Sequence, residues 1–202
     1  MKTVIITGGI GTGKSYVSQY LAEKLNAPMM NYDTAWHNFL KTNESLRREI
    51  IQRFGRIVAT TFDGTEIDRK VLAQIVFSSK EIMSDYMALI APYLREMEKP
   101  YTESSAWRNT IAEIPVGHNC VPMDCFLKKD VLFVGVFASR ATQIRRIVTR
   151  SKWKVSAQEA ERRIDFQPDP SSYMHRCDIC FFNEDKSPID ELVDIVKTKR
   201  RR

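Results

Sequence analysis

The sequence predicts an α/β fold: a doubly wound parallel sheet of five strands, with a helical insertion and a helical lid. Three observations support this prediction. A buried-strand pattern at the N-terminus leads through a glycine-rich loop into a helical pattern. Strand and helix patterns alternate in the second half of the chain, whereas residues 33–99 carry helical patterns and few strand signals. We therefore predict one domain over residues 1–202, with 33–99 as the insertion and 140–167 as the lid.

The N-terminal segment Lys2–Thr7 (KTVIIT) is β-branched and almost wholly apolar, which is typical of a strand buried on both faces of a sheet. Beyond the glycines, Val17, Leu21 and Leu25 recur every four residues, which is the spacing of one helix face. The chain is therefore predicted to run from strand through loop to helix.

Between that strand and that helix lies GGIGTGKS (Gly8–Ser15), which matches the pattern G-x-x-x-x-G-K-[ST]. Glycines allow backbone N–H groups to approach phosphate oxygens, and a helix N-terminus adds unpaired donors and partial positive charge. In such a loop Lys14 reaches the terminal phosphates, and the hydroxyl of Ser15 binds Mg²⁺. The alternative is a glycine-rich turn that binds nothing. We predict an ATP site formed by Gly9, Gly11, Thr12, Gly13, Lys14, Ser15 and Tyr16.

A carboxylate follows the first helix in the segment APMMNYDTAW. If Met29 and Met30 end a second strand, Asp33 lies at the carboxyl edge of the sheet, beside the phosphate loop. A carboxylate there can accept a proton from an attacking hydroxyl and help to organise Mg²⁺. We predict that Asp33 is this base; the alternative is that it caps the next helix.

The remaining strands are predicted from apolar segments. They are NTIAEIPV (Asn109–Val116), DVLFVGVFA (Asp130–Ala138) and CDICFF (Cys177–Phe182), and the second is predicted to be central because it is nearly all apolar. Helical patterns occupy RATQIRRIV, SAQEAERRI and SPIDELVDIVKTK, the last with Ser187 as N-cap and Pro188 at its first position.

Six arginines flank the polar segment SKWKVSAQ: Arg140, Arg145, Arg146, Arg150, Arg162 and Arg163. Arg146 and Arg150 are four residues apart on one helix face and can converge on an anion. Arginines on a mobile lid neutralise charge on a transferred phosphoryl group and exclude water, which otherwise hydrolyses ATP. We predict that Arg146 and Arg150 contact ATP and that Arg146 takes part in catalysis. For roughly half of the six, a solvated surface position is the ordinary alternative.

Composition limits the other classes of function. No stretch of about eighteen apolar residues occurs, so no membrane span is predicted. The net charge of +6 resides largely in residues 197–202, which we interpret as a frayed basic tail. Nucleic-acid binding through this tail is the less favoured alternative. No cleavable signal pattern precedes the first strand, so we expect a cytoplasmic protein.

Two of the four cysteines, Cys177 and Cys180, have the spacing of a metal or redox pair. Within a strand, however, they point to opposite faces and cannot share one tetrahedral ion. We therefore expect reduced thiols in the core.

With these features placed, the sequence resembles the dephospho-coenzyme A kinase family over nearly its whole length. ITGGIGTGKS is similar to the family's opening, and REIIQRFG with DGTEIDRKVLAQIVFSSKE is similar to its helical substrate-binding insertion. QIRRIVTRSKWKVSAQEAERRIDFQ resembles the lid, and CDICFFNEDKSPIDELVDIV the closing strand and helix. Many enzymes share the phosphate loop, whereas the DG-x-x-x-DR-x-x-L-x-x-x-VF series and the Q-x-x-R-x-x-x-R lid are far more specific.

The resemblance implies a P-loop kinase that uses ATP and Mg²⁺. Its reaction would be transfer of the γ-phosphate to the ribose 3′-hydroxyl of dephospho-coenzyme A, the last step of coenzyme A biosynthesis. By the same resemblance Asp33 matches the catalytic aspartate, and Arg146 and Arg150 match lid arginines near the phosphates. Arg69 matches an arginine of the insertion and is predicted to contact the substrate.

The sequence departs from the family mainly where the acceptor is contacted. Asn31 replaces the first of two usual aspartates, Ala91 replaces the histidine of a His-Pro pair, and residues 115–119 differ from a Pro-Leu-Leu-Phe-Glu segment. Tyr16 stands where a second hydroxyl residue normally follows Ser15. Two alternatives therefore stay open. The acceptor could be a nucleoside monophosphate or a hydroxyl on modified DNA, or the protein could bind nucleotide without catalysis.

Overall fold

The computed structural model describes residues 2–103, 109–114, 131–150 and 155–201. Its centre is a five-stranded parallel sheet with the order β2-β3-β1-β4-β5. The strands are β1 (Thr3–Thr7), β2 (Met29–Asn31), β3 (Ile111–Glu113), β4 (Val131–Phe137) and β5 (Ile179–Phe182). The predicted α/β fold with five parallel strands is confirmed.

Helices connect these strands. The α-helices are α1 (Lys14–Leu25), α2 (Tyr32–Thr42), α3 (Glu44–Phe54), α4 (Arg69–Val76), α5 (Lys80–Glu103), α6 (Arg140–Arg150), α7 (Ala157–Asp165), α8 (Ser171–Met174) and α9 (Ile189–Arg201). A short 3₁₀ helix spans Arg56–Val58. Within the described ranges, no helix is long and apolar enough to cross a membrane.

The described chain divides into two compact units. One contains the sheet, and its core is built from β1, β4 and the inner faces of α1 and α9. All five residues of β1 are buried: the strand is central in the sheet, between β3 and β4, and its side chains pack in a core with residues of α1 and α9. This burial explains why the strand is apolar throughout rather than alternating.

The second unit contains Asp33–Thr102 and is helical. Asn43 caps α3 by accepting a hydrogen bond from the N–H of Leu46, and Asp68 caps α4 in the same way. Leu46, Ile50 and other apolar side chains of α3 and α4 are buried. The role of residues 33–99 as a substrate-binding insertion stays a prediction.

The C-terminal segment is not a frayed tail, so that prediction was wrong. Helix α9 continues to Arg201, and the side chain of Arg200 is only 3% exposed. Arg200 Nε donates to the carbonyl of Lys2 at 3.0 Å, and Nη2 donates to the carbonyl of Asn109. Two of the five donors of the guanidinium thus satisfy backbone carbonyls just before β1 and β3.

Two smaller predictions were also wrong: Ser187 does not cap the last helix, and Cys177 does not lie in the last strand. The hydroxyl of Ser187 accepts from the N–H of Glu184 and donates to the carbonyl of Phe182, and α9 begins at Ile189. Cys177 precedes β5 instead of lying in it, so its thiol is close enough to interact with that of Cys180, which is exposed. Burial is the main cause that raises the pKa of Cys177 to about 12. Among the described residues there is no cluster of three or more potential metal ligands.

Candidate active site

The loop between β1 and α1 has a shape that only glycine allows at two positions. Gly13 has φ 86°, and a Cβ there would lie 2.3 Å from Nδ2 of Asn183. A Cβ on Gly8 would lie 2.4 Å from the carbonyl oxygen of Val136. The loop is therefore packed closely against the ends of β4 and β5.

The peptide between Thr12 and Gly13 is held from outside the loop. The carbonyl of Thr12 accepts hydrogen bonds from Asn183 Nδ2 at 2.8 Å and from Arg146 Nη1 at 3.1 Å. The C=O and N–H of a trans peptide point in opposite directions, so the N–H of Gly13 is turned away from these two donors. Asn183, which the sequence analysis did not identify, is thus a determinant of the loop's shape.

A buried carboxylate, Glu113, lies at the start of α1. Glu113 ends β3 and is 3% exposed; its Oε1 accepts a hydrogen bond from Ser15 Oγ at 2.6 Å. Nζ of Lys14 is 3.9 Å from the same oxygen. The two predicted loop residues therefore meet at a carboxylate that the sequence analysis missed. The signal that could have identified it is a lone acidic residue inside an apolar parallel strand.

The other oxygen of Glu113 accounts for one departure from the family pattern. Glu113 is paired in register with Asn31 of β2, and Oε2 accepts from Asn31 Nδ2 at 2.8 Å. An aspartate at position 31 would place a second carboxylate against a buried one, and two like charges at this distance repel strongly. The amide at position 31 therefore suits the presence of Glu113.

The donor set at this point fits a magnesium ion. Mg²⁺ prefers hard oxygen ligands from carboxylates, hydroxyls, phosphates and water. The hydroxyl of Ser15 and the carboxylate of Glu113 meet beside Lys14, at the N-terminal end of α1. These are the side chains that could hold the ion.

Asp33 belongs to the helical unit, and its side chain is exposed. Helix α2 begins at Tyr32, so Asp33 lies inside the first turn and the alternative that it caps this helix does not hold. His37 is one turn further along α2. Burial lowers the pKa of His37 below its usual value; the charge of Arg69 lowers it too, and that of Asp33 opposes them. The helical unit thus places Asp33 and Arg69 within electrostatic reach of His37.

The lid arginines divide into two groups. Three form surface ion pairs, as the ordinary alternative predicted: Arg140 with Asp165, Arg145 with Asp185 and Arg163 with Glu159. Arg146 donates to the carbonyl of Thr12 in the phosphate loop, and its Nη2 also lies 3.8 Å from Asp185. Arg150 and Arg162 are exposed on α6 and α7.

Tyr16 projects outward from the beginning of α1. Its side chain is 57% exposed, and its ring lies 6.0 Å from that of Tyr20. Its predicted contact with ATP stays a prediction.

A phosphate-binding loop between the first strand and first helix of a parallel sheet ordered 2-3-1-4-5 defines the class: a P-loop kinase fold. The family model described as dephospho-CoA kinase matches residues 2–188. The chain therefore belongs to the dephospho-CoA kinase family.

Individual relatives agree with this assignment. The chain is 33% identical over 170 residues to a dephospho-CoA kinase domain-containing protein of Danio rerio, covering 83% of this chain and 71% of that protein. It is 28% identical over 199 residues to a dephospho-CoA kinase of Latilactobacillus sakei, covering 96% and 91%. A crystal structure from Thermus thermophilus superimposes with a TM-score of 0.73 at 21% identity, covering 98% of this chain and 97% of that one, which supports the fold.

Proposed function

We propose that this protein transfers the γ-phosphate of ATP to the ribose 3′-hydroxyl of dephospho-coenzyme A. Membership of the family supports a kinase that uses ATP and a small-molecule acceptor. The observation that carries the proposal is the convergence of Lys14 and Ser15 on the buried carboxylate of Glu113. A hydroxyl and a carboxylate beside the loop lysine are the groups with which P-loop enzymes hold Mg²⁺ at the transferred phosphate.

The donor half of the reaction is assigned to the phosphate loop. Backbone N–H groups of Gly9, Gly11, Thr12 and Gly13 bind phosphate oxygens, and Lys14 binds the terminal phosphates. Ser15 and Glu113 would hold Mg²⁺, which would neutralise part of the phosphate charge. Arg146 fixes the loop through the carbonyl of Thr12 and brings positive charge to the same place. Tyr16 and Arg150 complete the proposed ATP contacts.

The helical unit supplies the proposed base and one charged contact for the acceptor. The 3′-oxygen attacks the γ-phosphorus, the bond from that phosphorus to the bridging oxygen of ADP breaks, and the hydroxyl proton passes to the carboxylate of Asp33. Asp33 is exposed in the first turn of α2, which suits a base that must meet an incoming substrate. Arg69, at the first position of α4, is proposed to bind an acidic group of the acceptor.

A panel of acceptors tests this function. Purified protein with ATP and Mg²⁺ is incubated separately with dephospho-coenzyme A, nucleoside monophosphates and modified DNA, and ADP formation and phosphorylated product are measured. Phosphorylation of dephospho-coenzyme A at the 3′ position is the expected result. Phosphorylation of another acceptor, with dephospho-coenzyme A inert, would replace this function by the alternative that the altered acceptor segments suggest.

A further inference from the structure

A cavity with a volume of about 410 Å³ lies at the carboxyl ends of β4 and β5, entirely within the sheet-containing unit. Three aromatic side chains line it: Phe137, Tyr173 and Phe182. The ring of Phe137 is 5.6 Å from each of the other two and is stacked on Tyr173 with an interplanar angle of 19°. Such a wall of rings suits a flat, apolar-faced ligand.

The cavity opens beside the phosphate loop. Gly9 and Thr12 form part of its lining, together with the side chain of Tyr173. A ligand in the cavity therefore contacts the first residues of the loop directly.

Two glutamines give the cavity a hydrogen-bonding pattern. Gln167 Oε1 accepts from the N–H of Ile10 at 2.7 Å, and Gln143 Nε2 donates to the carbonyl of Ala138 at 2.9 Å. An N–H can only donate and a carbonyl can only accept, so these partners fix the orientation of both amides. The remaining atoms are an acceptor, Gln143 Oε1, and a donor, Gln167 Nε2. Neither has a partner within the part of the chain that the structure describes.

We propose that this cavity binds the adenine ring of the acceptor, an inference that rests on the proposed function. Adenine presents an amino donor beside ring-nitrogen acceptors, a pattern that side-chain amides recognise with one acceptor and one donor. Gln143 Oε1 accepts from the 6-amino group, and Gln167 Nε2 donates to a neighbouring ring nitrogen. A 6-oxo purine places an acceptor against Gln143 Oε1, so it is disfavoured.

The position of the cavity favours the adenine of the acceptor over that of ATP. The reacting 3′-hydroxyl belongs to the ribose that carries the acceptor's adenine, so this ring lies close to the transferred phosphate. The adenine of ATP is separated from its own γ-phosphate by a ribose and the other phosphates. A cavity that touches the phosphate loop at Gly9 and Thr12 suits the nearer ring.

Kinetics of full-length protein test the assignment. Tyr173→Leu removes one ring of the wall and should raise the KM for dephospho-coenzyme A by about 5- to 100-fold, the range expected for loss of base–aromatic stacking. The KM for ATP should stay within about 2-fold of the wild-type value, because the substitution weakens only the binding of dephospho-coenzyme A. Tyr20→Leu, on the outer face of α1 and outside the cavity lining, is the matched control and should change neither constant. An increase in the KM for ATP with Tyr173→Leu overturns the proposal.

Base selectivity gives a second measurement. A dephospho-coenzyme A analogue with hypoxanthine in place of adenine should have a kcat/KM lower by about 10-fold or more. Its 6-oxo oxygen would face Gln143 Oε1, and two hydrogen-bond acceptors cannot pair with each other. Equal kcat/KM values for dephospho-coenzyme A and the analogue would contradict the proposed contacts.

A binding experiment separates failure of this inference from failure of the proposed function. Adenosine is titrated by NMR into protein saturated with a non-hydrolysable ATP analogue. Binding that persists in the wild type and is lost in Tyr173→Leu supports an adenine site apart from ATP, even if dephospho-coenzyme A is not phosphorylated. If the ATP analogue abolishes adenosine binding, the cavity belongs to the donor nucleotide and the proposal is wrong.

Discussion

The hydroxyl of Ser15 donates a 2.6 Å hydrogen bond to Oε1 of Glu113, a carboxylate that is 3% exposed at the end of β3. Residue 15 lies in the first turn of α1, and residue 113 lies opposite Ile6 of β1 in the parallel ladder. Strand pairing therefore brings a carboxylate to the phosphate loop from almost a hundred residues away. The arrangement has a direct consequence for the metal requirement.

We predict that Glu113→Gln raises the Mg²⁺ concentration needed for half-maximal rate by about 10- to 100-fold, the usual effect of weakening a metal's ligand environment. Glutamine keeps the volume and one acceptor oxygen but removes the negative charge. The measurement is the initial rate of ADP formation as a function of Mg²⁺ at saturating ATP and acceptor.

The matched control is Glu23→Gln on the exposed face of α1, which makes the same chemical change outside the contacts of Glu113. It should leave the Mg²⁺ dependence unchanged. If both variants behave like the wild type, Glu113 has a structural role only.

We predict that Asn183→Ala lowers kcat/KM for ATP by about 10- to 100-fold, because the Thr12–Gly13 peptide loses one of its two anchors and a small misplacement of catalytic groups is costly. Loss of a buried hydrogen bond should also lower the free energy of unfolding by about 1–3 kcal/mol. Steady-state kinetics and urea denaturation measure the two effects. Asn38→Ala, at an exposed site of α2, is the control. A variant that is less stable but has normal ATP kinetics would remove Asn183 from the site.

We predict that Asp33→Asn lowers kcat by about 10²- to 10⁴-fold while ATP binding is retained, because a general base contributes in this range. Single-turnover phosphorylation of dephospho-coenzyme A measures the first quantity, and equilibrium titration with an ATP analogue measures the second. An unchanged kcat would exclude Asp33 as the base. Asp33 would then have only the structural role of stabilising the first turn of α2.

The sequence predicted the local part of this fold well. Every predicted strand exists, the phosphate loop joins β1 to α1, and a second strand does end immediately before the helix that carries Asp33. These features depend on residue types within a few positions of one another. Glycine content, apolar periodicity and β-branching report them directly.

The missed residues share a different origin. Glu113 contacts Ser15 from 98 positions away, Gln167 contacts Ile10 from 157, and Asn183 contacts Thr12 from 171. Spacing along the chain contains no information about such pairs, since sheet order and helix packing create them. Arg200 was misinterpreted for the same reason. Composition describes a guanidinium as charged and solvated, but only the fold reveals the carbonyls of Lys2 and Asn109 that Arg200 satisfies.

We predict that Arg200→Ala lowers the free energy of unfolding by about 1–3 kcal/mol, because two half-buried backbone carbonyls lose their donors. The kcat should be unchanged, since the side chain lies at the amino end of the sheet. Thermal unfolding should shift by about 2–4 °C per kcal/mol for a chain of this size. Lys197→Ala is the control: its ion pair with Asp194 is solvent-exposed and should contribute almost nothing. Equal stability of the two variants would contradict the anchoring role of Arg200.

The imidazole of His37 gives the helical unit a dependence on pH. Burial lowers its pKa below the usual value of 6.5, and Arg69 adds to this effect against the opposing charge of Asp33. At pH values below 6.5 the unfolded chain therefore binds more protons at this site than the folded chain. The free energy of unfolding contains this contribution in full above that pH and loses it as the pH falls toward the lowered value.

His37→Gln should remove this loss, so the difference in free energy of unfolding between about pH 7.5 and about pH 5.5 should be smaller than in the wild type. Arg69→Gln, which removes one cause of the lowered pKa, should reduce the difference partly. Urea denaturation at both pH values measures it, and an NMR titration of the imidazole reports the pKa directly. Identical pH dependence in the wild type and His37→Gln would show that the imidazole is protonated as easily in the folded chain as in the unfolded one.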